Sequence, residues 1–331
     1  MSFESFPKIE PKNKSTKIEF KTKEGDIVTL KFCIVKPIVN EKNKTKNEKQ
    51  NQAIIFLPGV AVEADSGSVL KAAQDFANAS NAETYSITTS INNAKTKNSQ
   101  IPQAEAIHQF LTERGLTEVT IVGNSQGVNK ALYVTGGLEK NNPEIKINGL
   151  ILTNPGGLYN QDAGELTKNF ILDGTIRTKP SLDLALGIGK DVVVNIAKEF
   201  AHSPLDFKEK AMREAEEAGT LNDVAKDIKT KILMVVGKND TAFPSSKFIP
   251  DDAHDQSLAS QNEREKKMGE IFTNSENVKV IEAEKLSNHS LFYARSEQIA
   301  NISLYELERM NRKSEKQEEN NNLEKEYSIS N

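Results

Sequence analysis

Residues 119–127 read VTIVGNSQG, a short apolar run followed at once by a serine that has a glycine two positions away on each side. The run predicts a buried strand, and Gln126–Leu138 is predicted as the helix that follows it. The serine then occupies a sharp strand-to-helix turn, where Gly123 and Gly127 avoid side chains that would clash as strand and helix approach. We therefore expect the Ser125 hydroxyl at the carboxyl edge of a sheet, beside the positive end of a helix dipole.

Short apolar strands alternate with helices on both sides of this turn. The predicted strands are 53–57, 84–89, 119–122, 147–152, 232–236 and 278–281, and the predicted helices are 67–80, 102–114, 126–138, about 255–272 and about 291–311. A β-hairpin is predicted at 16–22 and 26–36, because both segments alternate and turn residues join them. This pattern predicts an α/β domain whose mostly parallel central sheet is covered by helices on both faces.

The alternation stops between residues 156 and 220, where only helical patterns are predicted. We interpret 156–220 as a helical cap inserted between two parts of one core, 16–155 and 221–311. Residues 1–15 are predicted as a flexible arm. Residues 312–331 are rich in Glu, Asn and Lys and are predicted as a disordered tail.

The composition excludes several classes of function. The net charge is −4, with basic and acidic residues interspersed, so no field is expected to attract nucleic acid. Cys33 is the single cysteine, which excludes an internal disulfide and a thiolate metal site. The sequence shows no signal peptide and no apolar run long enough to span a membrane, so we expect a cytoplasmic protein. No cofactor motif is present, and we expect neither cofactor nor metal; the oligomeric state stays open.

A serine hydroxyl is a poor nucleophile near neutral pH and needs a base, which in turn needs a group that orients it. The chain has 4 histidines. His289 follows the strand 278–281 in a loop before the last helix, and sites of this kind are assembled from loops at the carboxyl ends of strands. His289 is therefore the predicted base, with His254 next, while His108 and His202 are expected to be ordinary surface or partly buried histidines.

Asp240 is the first carboxylate past the strand 232–236. A carboxylate there can accept the Nδ1–H of an imidazole and hold the tautomer whose Nε2 receives the serine proton. The same residue type often caps a turn instead. Three further carboxylates lie nearby as alternatives: Asp251, Asp252 and Asp255.

An acyl-transfer site also needs backbone N–H groups that stabilise the oxyanion. The amide of Gln126, which follows the serine, is expected to supply one. The turn after the strand 53–57, which reads PGVA at residues 58–61, is the natural place for the other.

Together these residues resemble the α/β-hydrolase family. The order Ser125, Asp240, His289 matches that family's order of nucleophile, acid and base, and the resemblance extends from about residue 16 to about residue 311. It implies an α/β-hydrolase fold with a helical cap, and it assigns the oxyanion donors to the amides of Val60 and Gln126.

The sequence departs from the family in three places. Pro58-Gly59 stands where many members have His-Gly, the segment between Asp240 and His289 is longer than usual, and residues 91–94 lack the frequent Asp-x-x-Gly-x-Gly turn. The resemblance implies a serine hydrolase that cleaves a carboxylic ester or thioester of a small acyl-bearing molecule through an acyl-enzyme. An amidase, a C–C bond hydrolase or an acyltransferase would use the same three residues, and a non-catalytic binding or scaffold protein can share the fold.

Overall fold

The computed structural model of the 331-residue chain describes residues 15–38, 52–59, 62–91, 98–155, 221–237, 240, 258–283 and 291–329. Its strands are β1 (Thr16–Lys21), β2 (Ile27–Val35), β3 (Gln52–Leu57), β4 (Glu83–Ile91), β5 (Glu118–Asn124), β6 (Lys146–Thr153), β7 (Ile232–Gly237) and β8 (Val278–Ala283). Its helices are α1 (Gly67–Ser80), α2 (Gln100–Glu113), α3 (Gly127–Asn141), α4 (Leu221–Asp227), α5 (Leu258–Ile271), α6 (Leu291–Ala294) and α7 (Ser296–Ile329).

The strands form one eight-stranded sheet in the order β1-β2-β4-β3-β5-β6-β7-β8. The pairs β1–β2 and β2–β4 are antiparallel, and every later pair is parallel. The predicted hairpin and the predicted mostly parallel sheet are both confirmed. Because β3, β5, β6, β7 and β8 run in the same direction, the loops that follow them emerge at one edge of the sheet.

Each face of the sheet carries its own hydrophobic layer, which explains why the central strands are continuously apolar. In β3, Ile55 and Leu57 pack on the face covered by α2, α3 and α5, while Ile54 and Phe56 pack on the face covered by α1, α6 and α7. These four side chains are at most 2% exposed. Because successive side chains of a strand point to opposite faces of the sheet, one apolar run contributes to both hydrophobic layers.

The largest difference from the sequence-based expectation lies at the carboxyl end. We expected the last helix to end near residue 311 and residues 312–331 to be disordered, whereas α7 is helical up to Ile329. The Glu- and Lys-rich composition that indicates disorder also supports helix through i,i+4 ion pairs. Arg312, at the start of the predicted tail, makes such a pair with Glu308 at 2.6 Å.

Other predictions fall on residues that the structure does not describe. They are the arm over residues 1–14 and the cap over residues 156–220. The helix α4, which directly follows the predicted cap, was not predicted. Across the described ranges, no helix has both the length and the apolar character that crossing a membrane requires.

Candidate active site

Ser125 lies in the turn between β5 and α3, and its backbone is in the left-handed region with φ 57°. That conformation costs a non-glycine residue about 1–3 kcal/mol, so the surrounding contacts must impose it. Two backbone hydrogen bonds do so: the Ser125 N–H donates to the Thr153 carbonyl at 3.0 Å, and Val128 N–H donates to the Ser125 carbonyl at 3.1 Å. The side chain is thereby held at the carboxyl edge of the sheet, and the residue is 5% exposed.

The two glycines of the motif are required by close backbone packing. A Cβ on Gly123 would lie 2.9 Å from the carbonyl oxygen of Gly127, and a Cβ on Gly127 would lie 2.0 Å from the carbonyl oxygen of Leu57. Real Cβ contacts essentially never come under 3.0 Å. The strand, the turn and the helix approach each other only because both positions lack a side chain, which is the reason that the sequence pattern suggested.

The turn after β3 reaches the same serine. A Cβ on Gly59 would lie 2.9 Å from Ser125 Cβ and 3.2 Å from Ser125 Oγ, so the Gly59 backbone is packed directly against this side chain. Val60, the predicted second oxyanion donor, lies outside the described residues. Gln126, the predicted first donor, is the N-cap residue of α3 with φ −66°, which places its amide at the amino-terminal end of that helix.

Asp240 follows β7 at the same edge of the sheet and is buried, with 3% of its surface exposed. Its N–H donates to the Gly237 carbonyl at 3.2 Å, which tightens the chain directly after the strand. The end of β7 is tied to β6 as well, because Gly237 N–H donates to Asn154 Oδ1 at 3.1 Å. Since β6 alone separates β5 from β7, Ser125 and Asp240 leave strands that lie about 10 Å apart.

The structure brings Ser125, Gly59 and Asp240 to one edge of the sheet. His289, the predicted base, lies outside the described residues, so its position is not tested. The same holds for the remaining alternatives, which are His202, His254, Asp251, Asp252 and Asp255.

His108 is described, and it is buried between α2 and α3. Its Nε2 lies 2.8 Å from the Val134 carbonyl oxygen, and the residue is 8% exposed. Desolvation lowers its pKa from the ordinary 6.5, against the opposing effect of the hydrogen bond to Val134. These contacts indicate that His108 packs α2 against α3.

Three polar residues behind Ser125 were not singled out from the sequence. The Asn124 amide donates through Nδ2 to the Tyr293 hydroxyl oxygen at 3.3 Å, and its Oδ1 accepts from Thr153 Oγ1 at 2.9 Å. All three side chains are buried. Asn124 stands inside the serine motif, and Tyr293 stands four residues after His289, but neither position carries a pattern that predicts this contact.

Glu282 is a second buried carboxylate near this edge, at the penultimate position of β8, and no pattern in the sequence singles it out. Its Oε2 lies 3.8 Å from Nη1 of Arg264 in α5, and both side chains are at most 3% exposed. A buried charge is tolerated when an opposite charge faces it, so this pair joins α5 to β8.

Across the described residues, no group of three or more His, Cys, Asp and Glu side chains is placed to hold a metal ion. Cys33 is buried in β2, and burial raises the pKa of its thiol to about 11. That thiol is therefore protonated at neutral pH and poorly nucleophilic.

No protein-family model and no curated protein matches the sequence. The fold is nevertheless similar to solved structures. An esterase from Pyrococcus furiosus has a TM-score of 0.52 at 11% identity, over 93% of this chain and 95% of that one. An esterase from Exiguobacterium antarcticum has a TM-score of 0.50 at 14% identity, over 88% of this chain and 98% of that one. At this level of sequence identity, structural similarity is evidence about the fold alone. Together with the strand order, it shows that this chain has the α/β-hydrolase fold.

Proposed function

We propose that this protein is a serine hydrolase that cleaves a carboxylic ester or thioester through an acyl-enzyme. Ser125 is the nucleophile, His289 the base and Asp240 the acid, and the amides of Gln126 and Val60 stabilise the oxyanion. The substrate is a small molecule with an acyl group, and the chemistry needs neither metal nor cofactor.

The observation that carries this proposal is the strained backbone of Ser125. Ser125 is held at φ 57° between a strand and a helix, and the Gly59 turn packs on its side chain. This backbone conformation lowers the stability of the fold, and a serine with a purely structural role would not require it. Asp240, buried at the end of β7, adds a carboxylate at the same edge. That two proteins of similar fold are esterases agrees with an ester as the substrate.

The reaction then proceeds in two halves. Ser125 Oγ attacks the substrate carbonyl carbon while its proton passes to Nε2 of His289, and the oxyanion forms beside the two amides. The oxyanion then collapses and the bond from the carbonyl carbon to the leaving oxygen or sulfur breaks. His289 gives its proton to that leaving atom, and the acyl group stays bonded to Ser125 Oγ. Water then repeats the sequence in the deacylation half, which restores Ser125. We favour an ester or thioester because neither leaving group requires strong protonation.

The proposal is tested by labelling the folded protein with a fluorophosphonate probe and by measuring hydrolysis of p-nitrophenyl esters. We expect wild-type protein to label, and Ser125→Ala to lose labelling and about 10⁶-fold in kcat if the three residues act as a unit. Ser86→Ala, which alters a buried serine within β4, is the matched control and is expected to label like wild type.

Each of the other outcomes indicates a different function for this protein. Folded wild-type protein that does not label indicates a binding or scaffold protein. Labelling that persists in Ser125→Ala indicates another nucleophile. A parallel series of esters, thioesters and amides of increasing acyl length then separates an esterase from an amidase. An added alcohol or amine acceptor, with its acylated product measured, identifies an acyltransferase.

A further inference from the structure

The Tyr293 hydroxyl lies buried beneath the candidate active site, where it joins two of its backbone turns. Its oxygen accepts a hydrogen bond from Asn124 Nδ2 at 3.3 Å, and the Gly59 backbone lies beside it. Asn124 directly precedes Ser125, and Gly59 is packed against the Ser125 side chain. The hydroxyl is therefore bonded to the residue before the candidate nucleophile and lies beside the turn that packs on it.

A further hydrogen bond extends this contact to the neighbouring strand. Thr153 Oγ1, at the end of β6, lies 2.9 Å from Asn124 Oδ1 and 3.2 Å from the Gly123 carbonyl oxygen. The Asn124 amide is thereby held in one orientation, with its oxygen toward Thr153 and its nitrogen toward Tyr293. Buried polar groups of this kind are costly unless each is bonded, so the network specifies one arrangement of the three segments.

Packing holds the Tyr293 ring independently of its hydroxyl. Phe292 stacks on Phe56 of β3 with ring centroids 6.1 Å apart, and it meets the Tyr293 ring edge-on at 5.0 Å and 81°. Both aromatic residues belong to the short helix α6, which begins two residues after His289. Removing the hydroxyl alone should therefore leave α6 in place.

We propose that Tyr293 is a positioning residue for the hydrolytic reaction: its hydroxyl holds the Gly59 turn and Asn124 in the register that stabilises the oxyanion beside Ser125. This inference rests on the proposed function. The hydroxyl acts through the backbone and touches no reacting atom. Because desolvation, the largest effect, raises the pKa of Tyr293 to about 12, the group stays protonated at neutral pH and its role is structural alignment rather than proton transfer.

The test compares Tyr293→Phe with Tyr85→Phe. Tyr85 is the matched control because it too is 5% exposed and its hydroxyl donates to Glu83 at 2.9 Å, but it lies in the first half of β4, away from the carboxyl edge. Active sites are titrated with the fluorophosphonate, so that kcat is expressed per competent site. We expect Tyr293→Phe to lose about tenfold or more in kcat while KM stays within about twofold, because small misplacements of reacting groups cost rate more than binding.

A second readout follows the Gly59 amide itself by hydrogen exchange in a ¹⁵N-labelled sample. Loss of the hydroxyl that packs beside this turn should speed exchange at Gly59 in Tyr293→Phe and leave it unchanged in Tyr85→Phe. If Tyr293→Phe does not fold, Thr153→Val probes the same network from β6, with a smaller fall in kcat, about threefold, expected in the same direction.

The outcomes separate this inference from the proposed function. Wild-type protein that labels, together with a Tyr293→Phe protein whose kcat per titrated site equals that of Tyr85→Phe, overturns the role of Tyr293 and leaves the hydrolase standing. The same holds if only the number of titratable sites falls, or if Thr153→Val must be used and keeps the wild-type kcat. Wild-type protein that neither labels nor hydrolyses any ester overturns the proposed function, and the positioning role with it.

Discussion

At the scale of single residues, the candidate site depends as much on absent side chains as on present ones. Gly59→Ala tests this point, because the new Cβ would lie 2.9 Å from Ser125 Cβ and 3.2 Å from Oγ. We expect the turn to be pushed away from Ser125, with a loss of about 100-fold in kcat and of about 1–3 kcal/mol in the free energy of unfolding. Ester hydrolysis and urea unfolding measure the two effects.

Gly269→Ala is the control for the Gly59 substitution. Gly269 lies within α5, and a Cβ there would have no neighbour within 4 Å. Alanine in a helix interior should stabilise the protein by about 0.5–1 kcal/mol and leave kcat unchanged. A Gly59→Ala protein that labels and hydrolyses at the wild-type rate would show that the Gly59 turn takes no part in the site.

The residues of the site differ in how far the sequence alone could predict them. Ser125 and its two glycines could be predicted, since strand, turn and helix are neighbours in the chain and the clash that excludes a Cβ is local. The hydrogen bond between Asn124 and Tyr293 joins residues 169 positions apart. No local pattern encodes such a contact, and it becomes visible only once β5 and α6 are placed in the fold.

At the scale of elements, the packing of α2 on α3 encloses a buried histidine. His108 is buried with Nε2 2.8 Å from the Val134 carbonyl, and a Cβ on Gly137 of α3 would lie 2.2 Å from its ring Cε1. The folded state therefore favours the neutral imidazole, and the pKa of His108 falls below the ordinary 6.5, mainly because of desolvation.

This lowered pKa sets the sign of a stability change. Below about pH 6.5 the unfolded chain binds a proton at His108 that the folded chain does not, so the free energy of unfolding falls as pH decreases toward the folded pKa, by at most about 1.4 kcal/mol per pH unit. Well above pH 6.5 the contribution is fully present. We expect urea unfolding to show this loss between pH 7.5 and pH 5.5.

His108→Gln separates this effect from other titrations, because the Gln amide can still donate to the Val134 carbonyl but does not titrate. The pH dependence of its unfolding free energy should be shallower than that of wild type, since all other groups are shared. Equal slopes for the two proteins would mean that folding does not change the pKa of His108.

Most element bounds were predictable because apolar periodicity is a local property. Predicted and observed ranges agree within a few residues for the strands of the sheet and coincide for α1 over 67–80. The helical continuation of α7 to Ile329 was missed because a composition poor in apolar residues indicates that a segment adds little to a core, but it does not exclude that the segment is helical.

At the scale of the whole molecule, periodicity predicts that strands exist but leaves their order open. β4 lies between β2 and β3, and β3 lies between β4 and β5, so two pairs of neighbours in the sheet, β2–β4 and β3–β5, are not consecutive in the chain. The order matters for function, because it places the ends of β3, β5, β6 and β7 side by side and so creates the edge that holds the candidate site.

The carboxyl-terminal helix closes one face of that sheet, and Leu307 is the residue to test. Leu307 is 3% exposed and belongs to the hydrophobic layer with Ile151 and Leu233. It fits against Gly149 of β6, where a Cβ would lie 2.3 Å from Leu307 Cδ1. We expect Leu307→Ala to lower the free energy of unfolding by about 2–5 kcal/mol, since the rigid strand cannot collapse into the space left behind.

Ile302→Ala, on the same helix but 48% exposed, should change the free energy of unfolding by no more than about 0.5 kcal/mol. Urea titrations followed by circular dichroism and by fluorophosphonate labelling provide two probes of the same transition. Because both hydrophobic layers share one sheet, loosening α7 should shift both probes together. A Leu307→Ala protein whose helix melts before labelling is lost would instead mean that α7 is a separate unit, docked on a core that is stable without it.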